Sequence, residues 1–396
     1  MYVLFAVLLL ALLSAAFCRR AEASDEAIAE YVEKNEEAMI KDWLEVMAIP
    51  GKSRLEQART KWFEAKFKEV GMEGVSVDDI GNVWGTMKGN PGRETIIVTG
   101  HMDSVFANDT PLVPEIRDGW VYCPGASDDV PAPLALVWMK KALDALGITP
   151  AANLLFLATV QEEVGLKGMK HYLENAKAKP DMVIAVDGQL GDVIAGGLGI
   201  YWYKVFAKTP AGHTLKSTGK PSAVKSLAMA ITEAYKFQVE QDPAVYLNLG
   251  VLGGGTTENA ICEEAWVTLD MRSTSSDALK KLEGDVLSAM EKAITSSGAA
   301  FRKEVVTDIT AAQMPGLEKH RVVQTAVEVL KKLNYGEQKI GYAGATDGNI
   351  AISMGIPAVS VGIVHGEFWH SVQERAKVDT FAVGMKQLLM MVERLK

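Results

Sequence analysis

An α/β fold, in which a mostly parallel sheet is covered by helices and a smaller βαββαβ unit is inserted into it, is what the sequence predicts. Three observations carry this. Short apolar runs alternate with stretches of helical spacing through the first half of the chain, the order of elements changes around Gly196-Gly197, and the alternation resumes from Pro315. A length of 396 residues agrees, being long for one ordinary domain and comfortable for two at about 100–200 residues each.

Residues 2–17 form a 16-residue apolar run followed by Arg19-Arg20 and the small-x-small triplet Ala21-Glu22-Ala23. Residues 1–23 read as a secretory signal, shorter than the roughly 20 apolar residues of a spanning helix, which points to a secreted, periplasmic or otherwise extracytoplasmic protein. The lack of Lys or Arg ahead of the run, and the two arginines behind it, keep a retained membrane anchor as the second reading. Contact with a membrane is expected only in that case. Between Asp25 and about Gly71, Trp43, Leu44, Met47 and Ala48, then Trp62, Phe63, Phe67 and Val70, have helical spacing and predict two helices. The alternation follows: an apolar run at 96–98, a helix near 131–146, a run at 154–158, a helix near 167–176 and a run at 182–186. Beyond Gly197 the order becomes strand 200–208, helix 221–240, strand 245–252, strand 264–272, helix 276–297 and strand 301–306. That string resembles a ferredoxin-like unit of about 110 residues. After Pro315 come a helix over 318–333, an apolar run at 356–361 and a last helix over 379–395. The predicted division is a main domain built from 24–196 and 313–396, with 197–312 inserted.

Composition excludes several classes. With 48% hydrophobic and 23% charged residues the chain has the balance of a folded globular protein and not of a disordered or collagen-like one. Lys plus Arg number 41 against 50 Asp plus Glu, a formal charge of −9, and no run of like charge is long enough to hold a polyanion, so no nucleic-acid partner is expected. Cysteine occurs only at 18, 123 and 262, with no Cys-x-x-Cys pair. Neither a thiolate zinc knuckle nor a disulfide framework is available. Any metal must be held by His and carboxylate. Cleavage after Ala23 would remove Cys18 and leave Cys123 and Cys262, paired or free. Asn108-Asp109-Thr110 is a glycosylation sequon, best read as an unmodified surface loop.

In open α/β sheets ligands bind beyond the carboxyl ends of strands, so the residues after each apolar run matter most. After 96–98 come Thr99-Gly100-His101-Met102-Asp103. A two-residue step on extended backbone puts that imidazole and carboxylate on one side, where the carboxylate can hold the ring nitrogen that does not bind metal. After 154–160 come Gln161-Glu162-Glu163, after 182–186 Asp187-Gly188, and after 359–364 His365-Gly366-Glu367-Phe368-Trp369-His370-Ser371. Asp128-Asp129 lies in a loop just before a helix whose first turn accepts Pro131. Any one cluster alone is more often a solvated face; five that a single sheet gathers at one rim point to a site. Two His and three carboxylates suit zinc, or manganese and cobalt, as a pair of ions about 3.5–4 Å apart sharing a bridging carboxylate. Of two adjacent glutamates, one can ligate while the other takes the proton of the attacking water. Amide hydrolysis is the reaction such a set serves.

These residues resemble the dinuclear zinc metallopeptidase family that includes peptidase T, carnosinase, aminoacylase and glutamate carboxypeptidase. The likeness is carried by Gly100-His101-Met102-Asp103-Ser104-Val105, Ala126-Ser127-Asp128-Asp129, Gln161-Glu162-Glu163-Val164-Gly165, Val186-Asp187-Gly188, Trp369-His370-Ser371-Val372-Gln373-Glu374, Ala211-Gly212-His213-Thr214 and the stretch from Gly253 to Ile261. It covers nearly all of the chain after the signal. It implies a zinc-peptidase-like catalytic domain with the inserted unit as a dimerisation lid, two Zn2+ per subunit with Co2+ or Mn2+ as substitutes, and a homodimer. By the same resemblance His101 and Asp187 hold one zinc, Glu163 and His370 the other, and Asp128 bridges them. Glu162 is the general base and Asp103 orients His101. His213 would reach the partner subunit's site and steady the oxyanion, while Asn259 and Arg272 would touch the substrate's carboxylate. His365 is the rival for the last ligand, with His370 preferred because His-Ser-x-x-Glu is the matching motif and a carboxylate is wanted nearby. His171 and His320 read as solvated helix positions. The chain departs from the family's pattern at Val130-Pro131-Ala132, where an altered backbone would shift the bridging carboxylate.

The resulting expectation is a secreted zinc exopeptidase of small peptides, of aminopeptidase, dipeptidase or tripeptidase type. Asp at position 187, where other branches have Glu, leans toward the aminopeptidase and dipeptidase branches. A zinc amidohydrolase acting on N-acyl amino acids is the alternative of the same chemistry, and a metal-free binding homologue that kept the fold is the alternative of a different class.

Overall fold

The computed structural model describes residues 2–91, 94–237 and 244–395, with residues 2–24 described as backbone alone. The chain opens in helix α1 (Tyr2–Met47); the side chains of the predicted signal, Cys18 among them, lie outside the described residues. Among the described residues no helix is long and apolar enough to cross a membrane. From Asp25 onward α1 is packed. Ile28, Val32, Met39, Trp43 and Met47 recur at helical steps and are buried. The buried Asp25 carboxylate accepts hydrogen bonds from Arg394 Nη2 at 2.6 Å and pairs with Lys332.

Next come α2 (Gln57–Glu69), β1 (Glu73–Val77), β2 (Val83–Met87), β3 (Thr95–His101), β4 (Glu115–Arg117), β5 (Trp120–Tyr122), α3 (Pro131–Ala145), β6 (Asn153–Thr159), α4 (Lys167–Asn175), β7 (Met182–Val186) and β8 (Val193–Ile194). β3 and β7 are buried on both faces, which is why they read as continuous apolar runs without alternation. Helix α3 starts with Pro131 at its first position, where the missing N–H has no intrahelical partner to lose. It is apolar nearly all round and packs against β3 at close range. A Cβ on Gly100 would lie 2.6 Å from Ala132 Cβ, so only glycine lets the end of β3 approach the start of α3.

The middle of the chain forms β9 (Gly199–Lys208), β10 (Gly212–His213), α5 (Ala223–Ala234), β11 (Val245–Gly254), β12 (Ala260–Ile261), β13 (Glu264–Ser273), α6 (Ser276–Ser296) and β14 (Ala300–Ile309). β9, β11, β13 and β14 make an antiparallel sheet in the order β11-β13-β9-β14. With α5 and α6 this is the βαββαβ order expected, and it has its own core of Tyr201, Tyr203, Val205, Val267, Leu269, Met271, Leu282 and Met290. α6 is capped by the Ser275 hydroxyl, which accepts from Ala278 N. α5 stops at Ala234, short of the predicted 240; residues 238–243 lie outside the described ones.

After a 3-10 turn (Leu317–Lys319) the chain returns through α7 (Arg321–Lys332), β15 (Ile340–Gly341), α8 (Asp347–Ser353), β16 (Ala358–Val361), β17 (Gly366–Glu367), β18 (Arg375–Lys377) and α9 (Val378–Arg394). α7 begins later than the predicted 318 because His320 is its N-cap: Nδ1 accepts from Val322 N. His320 is thus a capping residue and not a solvated helix position. The main sheet runs β1-β2-β6-β3-β7-β16-β8-β15, with β6, β3, β7 and β16 parallel at its centre. A small antiparallel sheet, β17-β18-β5-β4, lies beside it.

Candidate metal centre

The parallel register brings the carboxyl ends of the central strands level. His101, the last residue of β3, pairs with Thr159 at the end of β6, and Val361 of β16 with Val186 of β7. Glu162, Glu163 and Asp187 therefore leave the sheet beside His101. Asp128 arrives from the loop before α3, and His370 from the loop between β17 and β18. Gln161 and His370 both sit in the left-handed region, at φ 56° and 58°, a strained conformation for residues with a side chain that clusters at functional loops.

Asp128 is the centre of the arrangement. Its Oδ1 lies 3.1 Å from His101 Nε2 and its Oδ2 3.1 Å from His370 Nε2. His370 Nε2 is also 3.3 Å from Glu163 Oε2, and Glu162 Oε2 lies 4.0 Å from His101 Nε2. Ligand atoms of His101, Asp128 and Glu163 all lie within 4.8 Å of one another. The Val130-Pro131-Ala132 departure leaves Asp128 between the two rings. His365 is not in this cluster; its ring packs on Trp120 at 5.9 Å. His171, on α4, has Nε2 2.8 Å from Asp79 Oδ1 and is not simply solvated.

Electrostatics follow from the crowding. Asp128, Asp129, Glu162, Glu163, Asp187 and Asp347 gather around two imidazoles. Burial pushes the Asp187 carboxyl up to about 8 and drives Glu162 and Asp129 well above the ordinary range. Burial also works to raise Asp128, but hydrogen bonds from His101 and His370 outweigh it and hold that carboxyl below its usual range. Hydrogen bonds to Asp128 and then Glu163 lift His370 to about 10. In His101, burial is overcome by the charge of Glu162 and by contacts with Asp103 and Asp128, so the ring is raised well above its usual value. The buried Glu163 Oε1 has no hydrogen-bond partner among the described residues. A donor set this rich in carboxylate and short of positive charge fits two divalent cations.

A supporting layer holds the cluster. Asp103 Oδ1 lies 3.4 Å from His101 Nδ1. Asp103 Oδ1 accepts from Glu162 N at 2.9 Å, and Oδ2 accepts from Ser53 Oγ at 2.7 Å and Glu163 N at 3.3 Å, so the carboxylate fixes the glutamate pair and faces the ring. Glu374, expected beside His370, is used elsewhere. It is buried and accepts from Gly125 N at 2.8 Å, from Ser127 N and Oγ at 2.8 Å and from Asp128 N at 3.0 Å, fixing the loop that presents Asp128. Two further residues were not legible in advance. Arg59 is buried beneath the site and donates to Ile49 O at 2.8 Å and Met102 O at 2.7 Å; a lone Arg in an amphipathic helix carries no signal for this. Asp347, the first residue of α8, accepts from Thr159 Oγ1 at 2.6 Å, and the capping box at Thr346 and Asn349 was its available signal.

A cavity of about 480 Å³ opens over the cluster, lined by His101, Asp128, Glu162, Glu163, Asp187 and His370 on one side and by strands β9, β13 and β14 on the other. Arg272 is in that lining. Its Nε donates to Asp270 at 3.0 and 3.1 Å, and Asp270 also accepts from Trp202 Nε1 at 2.8 Å. His213 and Asn259 are not brought to this cavity. They share an exposed hollow on the inserted unit, where β10 pairs with β12. Cys123 and Cys262 are both free, and burial pushes the Cys123 thiol up to about 12.

Comparison with known proteins gives the following. Residues 97–394 match the family described as Peptidase family M20/M25/M40. Over 374 residues the chain is 24% identical to the YqjE protein of Bacillus subtilis (strain 168), covering 91% of this chain and 98% of that one. Over 347 residues it is 26% identical to succinyl-diaminopimelate desuccinylase of Corynebacterium glutamicum, covering 84% and 89%. Among solved structures it is similar to a tripeptidase from Staphylococcus aureus, with a TM-score of 0.78 and 22% identity over 91% of this chain and 98% of that one.

Proposed function

Because the chain belongs to peptidase family M20/M25/M40 and is a metal-dependent hydrolase of amide bonds, we propose that it is a secreted co-catalytic zinc exopeptidase acting on short peptides. The family includes dinuclear metal-binding peptidases. The observation that carries this reading is Asp128 lying 3.1 Å from both His101 and His370 through different oxygens, with Glu163 and Asp187 at the same rim. In the reading, His101 and Asp187 would hold one ion and Glu163 and His370 the other, with Asp128 shared between them.

When bound, a pair of dications polarises the scissile carbonyl and acidifies the attacking water. Glu162 takes the proton of that water and returns it to the leaving amine. Asp103 keeps Glu162 in place through its backbone N–H. Arg272, tethered through Nε, offers its terminal nitrogens to a substrate carboxylate. His213 and Asn259, exposed on the inserted unit, are proposed to serve the site of a partner subunit across a homodimer formed by residues 197–312. The edge strand β11, with Tyr246, Val251 and Leu252 exposed, supports that face as the interface. Export by cleavage near Ala23 belongs to the same proposal.

A panel of free di- and tripeptides beside N-acetyl amino acids, assayed on zinc- and manganese-loaded protein, tests the reading. Turnover of the free peptides is expected. Turnover of the acylated set alone would replace it with the deacylase alternative, which similarity to a desuccinylase favours.

A further inference from the structure

Besides Arg272, the cavity over the cluster is lined by one charged side chain that the proposed chemistry leaves uncommitted, Asp192. Arg272 suits a carboxylate. Asp192 has no cationic partner among the described residues. Its Oδ2 accepts from Gln189 N at 3.1 Å, closing a turn with the Asp192 N to Gln189 O bond of 2.9 Å. That leaves Oδ1 free. The turn sets the carboxylate against Gly188, the residue after Asp187: a Cβ there would lie 3.5 Å from Asp192 Oδ2. Much of the remaining lining is apolar, with Leu166, Ile194, Ile200, Trp202, Ile309 and Trp369.

In a peptide cut after its first residue, the α-ammonium is two bonds from the scissile carbonyl carbon. Its counter-charge must therefore stand in the same cavity as the groups that act on that carbonyl, and Asp192 lines that cavity together with His101, Glu162 and Asp187. We propose that Asp192 receives the free α-ammonium of the substrate, so that the site selects unblocked short peptides whose first side chain is apolar. The proposal rests on the peptidase reading above and sharpens it: an N-acyl amino acid brings no ammonium to this carboxylate. An ammonium–carboxylate hydrogen bond in a partly enclosed site contributes about ten- to hundredfold in binding, and an apolar first side chain against this wall adds about tenfold over a charged one.

The test compares leucyl-glycyl-glycine, its N-acetylated form and aspartyl-glycyl-glycine on metal-loaded wild type and on Asp192→Asn. The asparagine oxygen still accepts from Gln189 N, so the turn is kept while the charge is lost. The expected result is a wild type that prefers the free leucyl peptide over both others, and a variant whose KM for it rises about ten- to hundredfold with kcat changed much less. Equal rates on free and acetylated peptide in the wild type, an unchanged KM in the variant, or an equal loss on both peptides overturns the proposal while leaving amide hydrolysis standing. If N-acyl amino acids are cleaved and no free peptide is, the peptidase reading falls and takes this proposal with it.

Discussion

At the scale of single residues, the site depends on how one carboxylate is presented. Asp128 has to meet two imidazoles at once, and Glu374 fixes its loop by accepting four hydrogen bonds. A glutamine there has one acceptor oxygen and an NH2 group that faces donors. Glu374→Gln is expected to weaken metal binding about 10- to 100-fold, read by metal titration monitored calorimetrically, while the fold persists by circular dichroism. Unchanged affinity would show that the loop holds its shape without Glu374. Of the residues proposed as ligands, His101, Glu163 and Asp187 stand out in the sequence because they end or follow buried strands, where local pattern and chemistry coincide; Asp128 stands out only as an acidic pair in a loop before a helix. Glu374, Arg59 and Asp347 could not be assigned, since the partners that tie them to the site, Gly125, Met102 and Thr159, lie 43 to 249 positions away in sequence. No local pattern records such a pairing.

At the scale of elements, the long helices follow the hydrophobic periodicity, the central strands β3, β6, β7 and β16 follow the apolar runs, and the βαββαβ string of the inserted unit emerges in the predicted order. Elements of two or three residues, such as β4, β5, β17 and β18, were not predicted because they are too short to show a period. α8 escaped for the same reason, with seven residues. One short pair has consequences. β10 and β12 present His213 and Asn259 on the inserted unit, away from the cavity of their own chain. If they serve a partner's site, mixing His213→Ala with Glu162→Ala subunits should restore turnover to about a quarter of wild type. Half of the dimers are then mixed and each has one complete site. Mixtures no more active than the two variants separately would contradict the assignment.

At the scale of the whole molecule, the crowd of buried acids should govern stability. Asp187 is raised from an ordinary value near 3.8 to about 8, Asp347 to about 6, and Glu374 from near 4.5 to about 7, each by burial first. The folded chain therefore binds protons that the unfolded chain has released. Stability from these groups is present below their unfolded values and is lost as pH rises through the folded ones. Protein stripped of metal with EDTA should show a melting temperature that falls between about pH 5 and pH 8 by this linkage. Added zinc should reverse the trend, because cations bind the ionised carboxylates and stabilise the folded state. A stripped protein whose melting temperature climbs across that range would refute the electrostatic account.

The central claim is that these strand ends hold two ions and that Glu162 moves the proton. Metal content and peptide turnover, measured side by side on wild type and Glu162→Gln, test both halves together. The account predicts two ions per chain in each protein, with turnover lower in the variant by at least about a hundredfold. Turnover near that of wild type in the variant, or a wild type that binds no metal, would contradict it.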